Sequence, residues 1–281
     1  MSNKRDFRIL LEKRWNEKHF LCVGLDSDYT QIPSHLRNHQ NPEMSLLAFN
    51  KAIIDATHDL VCAYKPNAAF YEAHGGPGLS VLHQIIAYIN HKAPDVPVIL
   101  DAKRADIDNT NVGYIQEAFE YLNADAITVH PYLGAEALRP FLECKSKGII
   151  VLCRTSNPGS GEFQHLLVNG EPFYRVVARH VAKKWNAHRN CGLVAGATHP
   201  EEIRTIREVV GDDVPLLIPG IGAQGGDLQK TIAASKNSLN SGIIISVSRS
   251  IIFASQKTDF AEAARKEALK LHEAINAELW K

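Results

Sequence analysis

Asp101, Lys103 and Asp106 form an alternating acid–base array just after the apolar run Val96 to Leu100. That run is short and rich in β-branched residues, which marks a buried strand and not a helix. Side chains alternate along a strand, so Asp101 and Lys103 point to one face, Leu100 and Ala102 to the other. Asp106, Thr110 and Tyr114 follow at four-residue steps, a spacing that sets all three on one face of a helix. Charges that leave a core strand together need partners, so the array is either a structural ion-pair network or an active site. The flanking carboxylates favour an ammonium at Lys103. Such a lysine serves as a cation and proton donor, whereas Schiff-base chemistry needs one whose charge is disfavoured.

The elements that must position this array repeat along the chain. Strand-like runs occur at Phe20–Leu25, Leu60–Tyr64, the stretch before Asp101, Ala126–Val129, Gly148–Leu152, Gly192–Ala195, Val214–Ile218 and Gly242–Val247. Helical patterns lie between them, one around Met44–Leu60 and another marked by Leu79, Leu82, Ile86 and Ile89. An amphipathic helix with Phe7, Leu10, Leu11 and Trp15 leads the chain. A closing helix begins at an Asp259…Glu262 capping pattern and carries Ala264, Ala268, Leu271, Ile275 and Leu279 on one face. Eight strands alternating with helices, without a linker or composition break, predict an α/β fold: a (β/α)8 TIM barrel forming a single domain over residues 1–281. A doubly wound open sheet is the alternative, but no GxGxxG follows the first strand.

Chemistry in such barrels sits where strands end. The strand-end residues are Asp26, Lys65, Asp101, Lys103, Asp106, Ser156, Gln224 and Arg249. Pro219-Gly-Ile-Gly-Ala-Gln-Gly-Gly226 follows the seventh strand, where glycines let backbone N–H groups surround an anion, and Arg249 after the eighth adds a fork for phosphate. The polar loop Thr155–Gly161 reads either as a lid, with Ser156 bonding a ligand amide, or as an ordinary connection. His130 follows the fourth strand without a second histidine at ligand spacing, which favours a structural role; nothing in the pattern calls for a metal.

Composition excludes several classes. Lys+Arg and Asp+Glu balance at 31 each, so no basic face for nucleic acid is implied. Five scattered cysteines, Cys22, Cys62, Cys144, Cys153 and Cys191, include no CxxC, and four lie in or beside apolar runs as buried thiols of a reducing compartment do. The N-terminal residues lack a signal-peptide core and no apolar run has membrane-spanning length, so the expected setting is soluble and cytoplasmic.

Asp101-Ala-Lys-Arg-Ala-Asp-Ile-Asp-Asn-Thr110 resembles the signature of the orotidine 5′-phosphate decarboxylase family. Lys65-Pro-Asn-Ala-Ala-Phe-Tyr-Glu72 and the length are similar to its longer, second subfamily. Gly24-Leu-Asp26, Ser156-Asn-Pro-Gly159, Pro219 to Asp227 and Ser248-Arg-Ser250 extend the resemblance around the barrel. It implies metal- and cofactor-free decarboxylation to uridine 5′-phosphate in de novo pyrimidine synthesis. Lys103 would stabilise and protonate the carbanion, Asp101 would sit by the departing carboxylate, and Lys65 and Asp106 would complete the charged array. Asp26 and Lys65 would hold the ribose, Ser156 the pyrimidine amide, Gln224 and Arg249 the phosphate. The resemblance also implies a homodimer whose partner chain donates the residues matching Asp106 and Thr110. Arg104 stands where the shorter subfamily often has an apolar residue, and the loop Ser156–Leu167 has no close motif beyond Asn-Pro-Gly.

Two other readings use the same residues. A magnesium-dependent sugar-phosphate decarboxylase or lyase on a related barrel carries a similar Asp-x-Lys-x-x-Asp. A non-catalytic nucleotide-binding barrel would find two buried lysines and two aspartates costly to hold merely for binding.

Overall fold

The computed structural model describes residues 5–221 and 225–281. Eight parallel strands form the central sheet: β1 (Leu21–Gly24), β2 (Val61–Lys65), β3 (Ile99–Arg104), β4 (Ala126–Val129), β5 (Gly148–Arg154), β6 (Cys191–Ala195), β7 (Leu216–Pro219) and β8 (Ile243–Val247). Their order is β2-β1-β8-β7-β6-β5-β4-β3. The ends meet through single parallel bridges, Tyr64 with Val98 and Asn67 with Asp101. Across that seam Tyr64 N donates to Pro97 O at 3.1 Å and Asp101 N to Pro66 O at 2.9 Å. Pro66 and Pro97 each lack an N–H, so a continuous ladder cannot run there and the barrel closes by bridges. The expected (β/α)8 architecture is the one observed.

Burial accounts for the strand composition. Every residue of β1, β2, β4, β6 and β8 is buried, because the barrel interior covers one face and the helical ring the other. Parallel strands shielded on both faces read as unbroken apolar runs and not as alternating ones.

The helix Phe7–Asn16 covers the N-terminal mouth of the barrel. Asp6 caps it by accepting from Ile9 N at 3.0 Å. Trp15 Nε1 donates to Ile243 O at 2.9 Å, Arg14 Nε to Val61 O at 2.9 Å, and Phe7 N to Ser146 O at 2.9 Å. Phe7, Leu11 and Trp15 are buried, each contributing on the order of 2 kcal/mol of apolar transfer energy. With that end plugged, the C-terminal mouth remains for ligand.

Three local expectations change. The first interstrand helix spans Pro42–Thr57, starting earlier than Met44 because Asn41 accepts from Met44 N at 3.2 Å and Pro42 occupies the first turn. The closing helix spans Phe260–Leu279 with the expected apolar face and with Asp259 at its N-cap, yet the Asp259 side chain makes no cap bond: its Oδ1 accepts from Ser255 Oγ at 2.6 Å. Asp106 also lies before its helix, which begins at Asp108. Its N–H donates to Oδ1 of the buried Asn111 at 2.8 Å and its carbonyl accepts from Asn111 Nδ2, so a side-chain-stitched turn replaces the first helical turn. Only Thr110 and Tyr114 then share the helix Asp108–Ile115.

Candidate active site

A cavity of about 500 Å³ opens at the C-terminal ends of the strands. Asp26 beyond β1, Lys65 at the end of β2, Asp101 and Lys103 on β3, Ser156 beyond β5 and Arg249 beyond β8 all line it. Six residues chosen for their strand-end positions thus converge on one space.

Asp101 is the hub. Its Oδ2 accepts from Lys65 Nζ at 2.9 Å, and its Oδ1 from Lys103 Nζ at 2.7 Å and from Thr128 Oγ1 at 2.9 Å. Lys65 Nζ also stands 3.8 Å from Asp26 Oδ1. Burial alone would push the Asp101 carboxyl up, but the charges of Lys65 and Lys103 overcome it and hold the group well below the usual carboxylate range. Burial would likewise lower Lys65; the carboxylates of Asp101 and Asp26 outweigh it and hold the ammonium above its ordinary value. Asp101 and Lys65 are therefore both ionised at neutral pH.

The backbone bends to assemble the pair. Lys103 has φ of +48°, a left-handed conformation that costs a long side chain on the order of 1 kcal/mol. Thr128 on β4 supports it, since its Oγ1 accepts from Lys103 N at 2.9 Å. The β3–β4 register shifts between Leu100 and Arg104 as a result. Asp101 is nearly enclosed while Lys103 keeps about half its side chain exposed, so the buried carboxylate aims a cation into the open cavity.

Asp26 has a different signature. Its Oδ1 is buried without a hydrogen-bond partner among the described residues, although the Lys65 ammonium lies nearby. An orphaned carboxylate oxygen at a cavity wall suits a ligand hydroxyl. Gly24 lets this end of β1 approach β8, because a Cβ there would collide with Ser248 Oγ.

After β7, Ile221 and Gly226 pair through a parallel bridge, with Gly220 at φ +105° and Gly226 N donating to Gly220 O at 3.1 Å. Pro219, Gly220 and Ile221 line the cavity beside Arg249. Gln224, the residue expected to meet a phosphate with Arg249, lies outside the described residues.

Asp106 and Thr110 do not line this cavity. Asp106 Oδ1 accepts from Ile107 N at 2.6 Å, and Thr110 is exposed. His130 Nδ1 contacts Tyr132 N at 3.3 Å, a local turn contact. Among the described residues no three His, Cys, Asp or Glu side chains are grouped as metal ligands are. Burial pushes the Cys22 and Cys191 thiols up to about 12, which removes them as nucleophiles.

Thr128, Ser246 and Gln164 line the cavity without having stood out in the sequence. Thr128 and Ser246 do carry a signal, each being the one polar residue in an otherwise apolar strand. Gln164 carries none, because its place depends on how the loop after β5 folds back.

Comparison with known proteins follows the same residues. The sequence profile described as "Orotidine 5'-phosphate decarboxylase / HUMPS family" matches residues 19–266. An orotidine 5′-phosphate decarboxylase of Cellvibrio japonicus is 49% identical over 267 residues, covering 95% of this chain and 96% of its own. Among solved structures, Leishmania donovani OMP decarboxylase superposes with a TM-score of 0.83 at 35% identity, covering 98% of this chain and 99% of that one. Leishmania donovani UMP synthase superposes with a TM-score of 0.87 at 38% identity; 98% of this chain corresponds to 57% of that longer protein. A barrel with the charged triad at its open mouth, matched over nearly its whole length, therefore belongs to the orotidine 5′-phosphate decarboxylase / HUMPS family.

Proposed function

We propose that the chain decarboxylates orotidine 5′-phosphate to uridine 5′-phosphate in pyrimidine biosynthesis, with neither metal nor organic cofactor. Family membership supports the reaction, and the observation that carries its mechanism is Asp101 held between the two ammonium groups of Lys65 and Lys103. Cleavage of the bond from C6 to the carboxylate leaves an electron pair at C6 that the pyrimidine cannot delocalise. A preorganised cation at that carbon is the direct remedy. Lys103 stabilises the developing carbanion and then transfers a proton from Nζ to C6, while CO2 departs. Asp101 orients Lys103 and stands by the leaving carboxylate, adding ground-state repulsion as the smaller effect.

The remaining roles follow the cavity wall. Asp26 and Lys65 take the ribose hydroxyls, Ser156 the pyrimidine amide, and Arg249 with Gln224 the phosphate. Holding a remote phosphate yields binding energy that is used to order the reacting end.

The test is loss of the near-ultraviolet absorbance of orotidine 5′-phosphate in EDTA-containing buffer. Full catalytic rate is expected with EDTA, unchanged by added magnesium. No loss in either buffer, with turnover of a phosphorylated sugar instead, would shift the assignment to the sugar-phosphate chemistry of the alternative reading.

We further propose a cytoplasmic homodimer with shared active sites. Asp106 and Thr110 lie outside their own chain's cavity, Asp106 half-buried and Thr110 exposed, beside the exposed apolar side chains of Ile107 and Val112. That placement suits donation across a two-fold interface. The buried, unbridged thiols of Cys22, Cys62, Cys153 and Cys191 suit a reducing compartment. Among the described residues no helix is long and apolar enough to cross a membrane.

Mixing two inactive variants checks the sharing. In a random mixture of Lys103→Ala and Asp106→Asn subunits, half the dimers are mixed and each holds one fully wild-type site, if Asp106 acts across the interface. Recovery of about a quarter of wild-type activity is expected from that two-fold arithmetic. No recovery after subunit exchange would place Asp106 in the site of its own chain.

A further inference from the structure

Arg154, the last residue of β5, is almost completely buried, with 1% of its surface exposed. A buried guanidinium is expensive to desolvate, and an apolar side chain of similar volume would fill the space at lower cost. Its hydrogen bonds have a common destination. Nη1 donates to Thr155 O at 3.0 Å, to Gln164 Oε1 at 3.2 Å and to Ser160 Oγ, three acceptors within one loop. Nε donates to Glu202 Oε2.

The loop passes these contacts on to the cavity. Gln164 Oε1 accepts from Thr155 N at 3.0 Å, Gln164 Nε2 donates to Thr155 Oγ1 at 2.9 Å, and Thr155 Oγ1 donates to Asn157 Oδ1 at 2.7 Å. Thr155, Ser156, Asn157 and Gln164 all line the cavity. Glu202 sits in the first turn of the helix Pro200–Val210, where the helix dipole favours a carboxylate, and its Oε1 pairs with His165 Nε2 at 2.9 Å. One carboxylate therefore secures both the start of the loop, through Arg154, and its end, through His165. Below them Gly196 leaves room: a Cβ there would lie 2.8 Å from Ser156 N.

We infer that Arg154 and Glu202 are positioning residues which hold the 155–164 loop in the conformation that meets the pyrimidine, so that substrate binding does not have to order it. The inference rests on the decarboxylase reading, and concerns a residue pair that touches the loop and not the reacting atoms. Pre-ordering lowers the entropic cost of binding. Its loss therefore raises KM, while the triad of Lys65, Asp101 and Lys103 is left intact and kcat at saturation is held.

The experiment combines steady-state kinetics on orotidine 5′-phosphate with amide hydrogen exchange of the ligand-free protein, for wild type, Arg154→Met, Arg154→Lys and Glu202→Gln. Arg154→Met is expected to raise KM about 100-fold and Arg154→Lys about 10-fold, since an ammonium supplies charge without the planar fork. Glu202→Gln, which keeps the side-chain shape, is expected to raise KM about 10-fold and stands in should Arg154→Met fail to fold. In each variant the amides of 155–164 exchange faster while those of β5 and β6 do not. A drop in kcat at unchanged KM, or unchanged exchange in the loop, would overturn the inference. Absence of turnover by the wild-type protein would instead overturn the decarboxylase reading, and the exchange data would still decide whether Arg154 anchors the loop.

Discussion

Lys103→Ala is expected to lower kcat/KM for orotidine 5′-phosphate by at least about 10⁴-fold, or about 5.4 kcal/mol. The loss should fall on kcat, because the substitution removes the cation facing the reacting carbon and the proton that completes the reaction. General acid catalysis accounts for about 10² to 10⁴ and a preorganised charge for about 10² to 10³, and here one group supplies both. Half of the Lys103 side chain is exposed and its ion pair is with a carboxylate that keeps Lys65, so folding should survive. A melting temperature within a few degrees of wild type would verify that. A variant that retained near-full turnover would remove Lys103 from the chemistry and with it the mechanism proposed above.

Asp101→Asn carries the second large effect, with an expected fall in kcat/KM of about 10³-fold, or about 4 kcal/mol. The amide still fills the space but no longer neutralises two ammonium groups whose Nζ atoms lie 2.9 and 2.7 Å from it. Removing one member of a buried charge cluster costs stability on the order of 3 kcal/mol, because among the described residues Lys65 is left with only the longer ion pair to Asp26. The pH dependence has a definite sign. In the wild type the two carboxylates outweigh burial and hold Lys65 above its ordinary value. Without Asp101, burial gains weight and Lys65 loses its proton at lower pH. The stability that a raised lysine supplies is present below its unfolded value and disappears as pH rises through the folded one. The variant should therefore lose both activity and stability at a lower alkaline pH than wild type. A pH–rate profile and a thermal melt at several alkaline pH values would measure it, and an alkaline limb in the same place would show that Asp101 does not set the charge of Lys65.

Asp101 and Lys103 are legible as a pair in the amino-acid sequence, because strand alternation alone places them side by side. The route by which they meet is not. Lys103 adopts a positive φ, propped by a hydroxyl from the neighbouring strand, and no periodicity reports a conformation that a non-local contact sustains. The helix face expected for Asp106 fails for a similar reason: buried Asn111 bonds the Asp106 backbone and holds it out of the helix. Competing side-chain bonds of this kind depend on which polar groups end up buried.

The repeat of apolar runs and helical stripes by itself determined the barrel, since eight parallel strands have few other ways to bury both faces. It also determined that Asp26, Lys65, Asp101, Lys103, Ser156 and Arg249 stand at one end, because strand polarity is a property of chain direction. Only the tertiary structure decided which groups touch. Thr128 on Asp101, the orphaned oxygen of Asp26 and the Arg154–Glu202 pair join residues from 27 to 48 positions apart or depend on enclosure. The physical reason is range: secondary structure follows from neighbours a few residues away, whereas the charge state and partners of a buried group follow from whatever the closed barrel brings beside it.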